Sequence, residues 1–331
     1  MPVPTRGNPR PAISRRRPPR ELRDLLTTVG LTNGVANIIM QLSLPPVGHG
    51  VSESRVASGS PRRYPLKRAR TTGQYLALAV MGSEADRDVM RQAVAEVHNH
   101  VHSTEHSPVR YSGNSRELQV WVAMCLFRFF LDQYTLVHGE LDEATLDELI
   151  RAGEPLATGV NVRSSEWPQT WAEYRRRWDA MLPNLSIDPV VHHEFLTLSD
   201  LSFVGEAWGP VGHLLARIGA RPYRFMTRAT LPPEFREMMG WDWTEADQRR
   251  LQRVLTVLRV IDTVINPYAM QVAYRLQVLD FRIRRRLGMP VLGKTRILET
   301  MIRDGGGVRL FARRSRDKPG DSETGLRREV G

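Results

Sequence analysis

The chain has 331 residues, of which 41% are hydrophobic and 25% charged, with a single cysteine. That length supports one large domain or two small ones with a sizeable core, and one cysteine excludes a disulfide framework, a Cys-rich zinc site and a C-x-x-C-H haem attachment. The formal charge of +11 sits at the ends: residues 1–24 hold seven Arg against two acids, residues 282–331 hold 14 basic against six acidic residues, and the body between is −2.

Residues 1–19 are rich in Pro and Arg and read as a disordered tail. Arg15-Arg16-Arg17 has the look of a twin-arginine export signal, but Pro-Pro-Arg-Glu-Leu-Arg-Asp follows where an apolar run is needed, so the cytoplasm is the expected compartment. No stretch reaches the ~18–20 uninterrupted apolar residues of a membrane span. From Glu21 a helical pattern runs through Leu25, Leu26, Val29, Val35, Ile38, Ile39 and Leu42, interrupted at Asn33-Gly34 and stopped by Pro45-Pro46. Residues 46–65 read as a long loop, a length that is often functional. Helices are predicted over 67–81 and 84–103, the second with Ser83 as N-cap and Glu84 and Asp86 in its first turn. The most apolar helix covers 115–137; its aromatic and aliphatic residues from Leu118 to Leu131 occupy most of its circumference, which places it centrally. Further helices are predicted over 142–152, 170–182, 190–197, 210–219, 232–239, 244–264 and 267–287, the last with Pro267 in its first turn. There is no alternating strand pattern and no repeat. The expected architecture is all-α: one domain over 20–290, then a short helix and a disordered basic tail over 291–331.

Three histidines, His98, His100 and His102, fall within five residues. On a continuous helix His98 and His102 share a face and His100 points elsewhere. That is the spacing of a helical zinc pair, but the zincin pattern needs Glu directly after the first His, and Asn99 stands there. Glu105, His106 and His192 are the candidate third ligands, none at a diagnostic spacing. A polar helix end with surface histidines explains the same residues. Non-covalent haem asks less: one axial imidazole, an apolar pocket and basic groups for the propionates. Val94, Val97 and Val101 make the His98 side partly apolar, and Arg68 and Arg70 could meet carboxylates. The same Lys67-Arg-Ala-Arg70 run also reads as a solvated basic helix start. Nucleophile elbows, glycine-rich phosphate loops, E-x-x-H di-iron pairs and nucleic-acid motifs are absent. The tryptophans, Trp167, Trp171, Trp178, Trp241 and Trp243, read as core anchors.

Taken in order, these segments resemble a known family. Gln41-Leu-Ser-Leu-Pro-Pro-Val-Gly-His-Gly-Val51, Glu53-Ser54, Arg68-Ala-Arg-Thr-Thr72 with Tyr75-Leu76 and Gly82, and Val97-His98-x-x-Val101 are similar to the opening segments of the MpaB-type and rubber oxygenase family, which includes the latex-clearing proteins. The likeness continues through Tyr111-Ser112, Leu118-Gln-Val-Trp-Val122, Thr170-Trp-Ala-Glu-Tyr174 to Met181-Leu182, and Leu231-Pro-Pro-Glu-Phe-Arg236 to Trp243, covering roughly residues 34–275.

The resemblance implies an all-α fold of globin-like character around a b-type haem, with His98 as the iron ligand and His102 and Arg68 as cofactor neighbours. It implies a distal side carrying Arg68, Thr71 and Thr72, with Glu53 near the place of an acidic residue proposed as a base. Thr71 stands where the family has Lys or Arg, His102 where it tends to have Arg, and Leu44 and Ala123 where histidines are common. The implied function is that of a haem-dependent oxygenase acting with O2 on a C=C bond of an isoprenoid or other small apolar substrate. The alternatives are a haem-binding protein without that activity and a cofactor-free helical interaction protein. Peripheral contact of the basic tails with a membrane surface would suit an apolar substrate.

Overall fold

The computed structural model describes residues 18–56, 64–265, 268–295, 297, 300–304 and 307–311. The expected tails over 1–17 and 312–331 lie outside the described residues, as does the part of the predicted loop over 57–63. Up to Arg286 the described elements are all helical.

The first predicted helix is broken more than its periodicity suggests. Leu22–Leu25 and Thr28–Leu31 are single 3-10 turns, and α1 covers Gly34–Leu42. The Thr27 amide bonds Gln133 and the Thr28 amide bonds Asp262, 106 and 234 residues away, so distant side chains take the backbone groups that a continuous helix would use. Pro45 does not open a long loop. It is the first residue of α2 (Pro45–Ser52), a position where the missing N–H costs nothing.

α3 (Pro65–Met81) matches its expected span. α4 (Glu84–His98) starts on the Ser83–Asp86 capping box but stops five residues short of the predicted end at 103. Beyond it, residues 99–115 fold back: His102 bridges Ser112, and the Gly113 amide bonds the Val101 carbonyl at 2.7 Å. α5 (Arg116–His138) is the predicted central helix and packs against α1. By length and composition it could cross a bilayer, but most of that apolar window is buried inside the protein. Its backbone is clasped from outside: the Asn37 amide donates to the Cys125 carbonyl and the Tyr174 hydroxyl to that of Met124. Of the expected tryptophan anchors, Trp167 and Trp178 are buried, whereas Trp171, Trp241 and Trp243 are only partly buried; Trp121 is also a core residue.

α6 (Glu143–Ala152), α7 (Pro155–Thr158), α8 (Trp171–Met181), α9 (Pro189–Ser199), α11 (Pro233–Met238), α12 (Glu245–Ile265) and α13 (Tyr268–Arg286) complete the body. Between α9 and α11, α10 (Ser202–Thr230) is far longer than the predicted 210–219. It is two helical pieces joined at Gly209, whose φ of 60° and ψ of −140° admit a sharp reversal that other residues resist. A Cβ on Gly212 would come within 2.1 Å of the Val204 carbonyl, so the two pieces can pack only through glycine. The short helix expected after residue 290 is also corrected: Thr300–Asp304 (β1) and Gly307–Phe311 (β2) pair antiparallel, with Asp304 opposite Gly307. A connection that short across glycine favours a hairpin over a helix.

Candidate functional site

α3 is the organising element, because its two long faces have different surroundings. Helical spacing puts Arg70, Gln74 and Ala77 on one face and Arg68, Thr72, Tyr75 and Leu76 on the other. The first face packs on α13, where Gln74 donates to Asp280 and Arg70 lies 3.8 Å from the same carboxylate. On the second, Tyr75 and Leu76 turn toward the core while Arg68 and Thr72 are exposed: Tyr75 donates its hydroxyl to the Leu156 carbonyl at 2.6 Å, and the Arg68 cation acts electrostatically on the His98 ring.

His98 is the last residue of α4 and is partly buried. Burial, together with Arg68, pushes its pKa down to about 4, partly opposed by a hydrogen bond with the Gly113 backbone. The ring is therefore neutral at ordinary pH. Its Nδ1 lies 3.4 Å from the Gln119 Nε2, which itself donates to the Gly113 carbonyl at 2.7 Å. The Gln119 Oε1 accepts from the Asn161 amide at 2.7 Å. Nε2 of His98 makes no hydrogen bond among the described residues. Gly113 has to be glycine for this arrangement, because a Cβ there would sit 3.0 Å from the Val101 Cβ and 3.1 Å from the His98 Cβ.

Solvent reaches the Arg68 side chain, yet protein surrounds it closely enough that burial lowers its pKa. It makes no side-chain hydrogen bond or ion pair among the described residues, and neither does Thr72. Thr71 instead donates its hydroxyl to the Arg68 carbonyl at 3.1 Å. An open groove of about 490 Å³, lined in part by Leu44, Tyr111, Ser112 and Leu118, adjoins the site but includes none of His98, Arg68 and Thr72.

Two predicted site residues lie apart from this group. Because α4 ends at His98, His102 does not share its face; it is exposed, and its Nε2 lies 2.7 Å from Arg55. Glu53 caps the C-terminus of α2 with both oxygens engaged: Oε1 is 3.0 Å from the His49 Nδ1, and Oε2 accepts from Ser107 at 2.6 Å and Tyr111 at 3.0 Å. The other His49 nitrogen contacts Asp188, so this buried histidine ties α2 to the start of α9. Glu105 and His106 are exposed, and the His192 Nε2 lies 3.4 Å from the Met239 carbonyl. No three His, Cys, Asp or Glu among the described residues gather as a metal site, which leaves zinc without a ligand set.

Sequence reasoning missed Gln119, Gly113 and Asn161. Gln119 carries the one usable signal, a polar residue between Leu118 and Val120 in an otherwise apolar helix, where burial demands a partner.

Among known proteins, residues 23–260 match the family described as ER-bound oxygenase mpaB/B'/Rubber oxygenase, catalytic domain. Two curated relatives, uncharacterized proteins of Mycobacterium bovis and Mycobacterium tuberculosis, are each 40% identical over 258 residues, covering 78% of this chain and 98% of theirs. No solved structure matches the chain.

Proposed function

The chain belongs to the mpaB/rubber oxygenase catalytic-domain family, and from that membership we propose that it is a b-type haem-dependent oxygenase with His98 as the iron ligand. One observation carries the reading. A neutral, partly buried imidazole lies beside a guanidinium without a partner, and among the described residues no second or third protein ligand gathers with it. A protein zinc site takes three or four ligands, whereas haem takes a single imidazole and leaves the opposite side open. The residues present therefore fit haem.

Each residue has a task that follows from its chemistry. Burial and Arg68 keep the His98 ring deprotonated, the form that ligates iron. Gln119 and Gly113, braced by Asn161, fix its orientation, as partners behind a ligand histidine do. Arg68 supplies a planar set of donors suited to a propionate or to a polar oxygen. Thr72, one turn on, adds a hydroxyl on the same face. Thr71 brings no charge, and its hydroxyl is already used, so the site positions an apolar substrate more by shape than by charge. Glu53 acts as a base only on release from His49, Ser107 and Tyr111; while held, it anchors α2. Haem held by His98, with Arg68 beside it, would supply the O2 chemistry for oxidation at a C=C bond of an isoprenoid-type or other small apolar substrate.

Purified protein should show a Soret band and a b-type pyridine haemochrome, and His98→Ala should lose both. Absence of the band after haem reconstitution, or unchanged retention in His98→Ala, rejects the assignment. Oxygen uptake with isoprenoid-type alkenes tests catalysis. The second reading, haem binding without oxygenation, is favoured by Thr71, an uncharged residue where the resemblance to the family implies Lys or Arg; a Soret band with no oxygen uptake on any such alkene would select it.

A further inference from the structure

Among the described residues, the outer face of α13 has no partner. Met270, Val278 and Phe281 point inward, and Gln277 and Asp280 meet α3. On the opposite side Tyr268, Val272, Leu276, Leu279, Ile283 and Leu287 recur at intervals of three and four residues, which makes one continuous stripe. All six are exposed, Tyr268 by 80%, Leu287 by 68% and Leu276 by 59%. α12 repeats the pattern: Leu251 and Leu255 are buried while Val257, Val260 and Val264 are 59%, 62% and 79% exposed. Scattered exposed apolar residues need no explanation, but aligned runs on consecutive helices mark a surface that meets something apolar.

Charge identifies what it meets. α13 carries five arginines against one acid, Asp280, and that acid is already held by Arg70, Gln74 and Arg284. Arg275 and Arg286 are exposed, and helical spacing sets them along one edge of the stripe, with Arg282 between them already bonded to Asp86. A second copy of the chain would bring equally basic helices together. An anionic bilayer complements both features: acyl chains take the stripe and headgroups the arginines. The helix has 19 residues and is about 28 Å long, so it can lie flat in the interface. We propose that the exposed face of α13 docks the protein on the surface of an anionic lipid bilayer. α13 packs on the Arg70 and Gln74 face of α3, opposite Arg68 and Thr72, so docking through its outer face leaves those residues uncovered. The inference goes beyond the oxygenase reading and stands without it.

The test uses the full-length protein and sedimentation with vesicles of phosphatidylcholine alone or with added phosphatidylglycerol. Wild type should pellet with the anionic vesicles and far less with the neutral ones. The double variant L276S/L279S keeps both basic ends of the chain and replaces only exposed side chains; its bound fraction should fall roughly tenfold with an unchanged circular dichroism spectrum. The variant R275Q/R286Q should lose several-fold in binding and most of its preference for the anionic vesicles. Equal binding of wild type and L276S/L279S would assign any lipid contact to the basic ends and overturn the proposal. Failure of wild type to bind anionic vesicles at low salt would also overturn it. So would a concentration-dependent dimer, abolished by L276S/L279S, in a protein that ignores vesicles; that result would make the stripe an interface between copies.

Discussion

Arg68 and Arg70 stand two residues apart on α3, and burial lowers the pKa of both. For Arg70 the surroundings answer that cost: Asp280 opposes the shift, and the side chain donates to Gln74 at 3.2 Å and to the Val291 carbonyl at 3.4 Å. Arg68, although solvent reaches it, has no hydrogen-bond or ion-pair partner among the described residues, and the neutral ring of His98 lies beside it. A charge buried with partners holds helices together. A cation that no partner holds contributes little to the fold and is a candidate for function. The two faces of one helix thus separate structure from candidate function.

That contrast can be attacked from either side. Asp280→Ala strikes the structural face and leaves Gln74 buried without its acceptor; a loss of about 2–3 kcal/mol is expected in urea unfolding, with α13 loosened from α3. A loss below experimental error would mean that the α3–α13 contact is not what Arg70 and Gln74 serve. Gly113→Ala strikes the other side by pushing the backing of His98 outward. It should cost about 1–2 kcal/mol and weaken haem retention by more than its stability effect explains; normal retention would remove Gly113 from the site. Arg68→Leu should change stability by no more than about 0.5 kcal/mol, because no partner is lost, while lowering haem affinity or oxygen uptake. A large loss of stability with intact haem binding would reverse the roles given to Arg68 and Arg70.

The smallest effect concerns pH. Burial alone would raise the Asp86 carboxyl, but hydrogen bonds from Arg282 and Ser83 together hold it below its ordinary value. Since the folded pKa is depressed, its contribution is fully present above the ordinary value of 3.8 and is lost as pH falls through the lower folded value. Asp86→Asn should flatten that part of the acid unfolding curve, and an unchanged slope there would show that the Arg282 pair adds nothing.

Much of the helical body is legible in the sequence. Periodicity locates α3, α5, α6, α8, α12 and α13, because each has one apolar stripe or, in α5, apolar residues nearly all round. The same periodicity places Arg68 and Thr72 on one face. The errors arise where distant residues decide local structure. α4 stops at His98 because the following loop folds back on it, which removes His102 from the His98 face. Glu53 looks free in sequence but is held by His49, Ser107 and Tyr111, with His49 pinned by Asp188, 139 residues away. The extent of α10 was hidden by Gly209 and Pro210, which read as a boundary and serve as a sharp kink.

The sequence alone determined the helical class, the central place of α5, the family likeness, and His98 with Arg68 and Thr72 as the residues to watch. Only the tertiary structure decided which arginine is satisfied and which is not, what braces the His98 ring, and which face of α13 remains without a partner. The reason is physical: periodicity reports which side chains share a face of their own helix, but whether that face meets a carboxylate, a glycine or solvent is set by segments far along the chain.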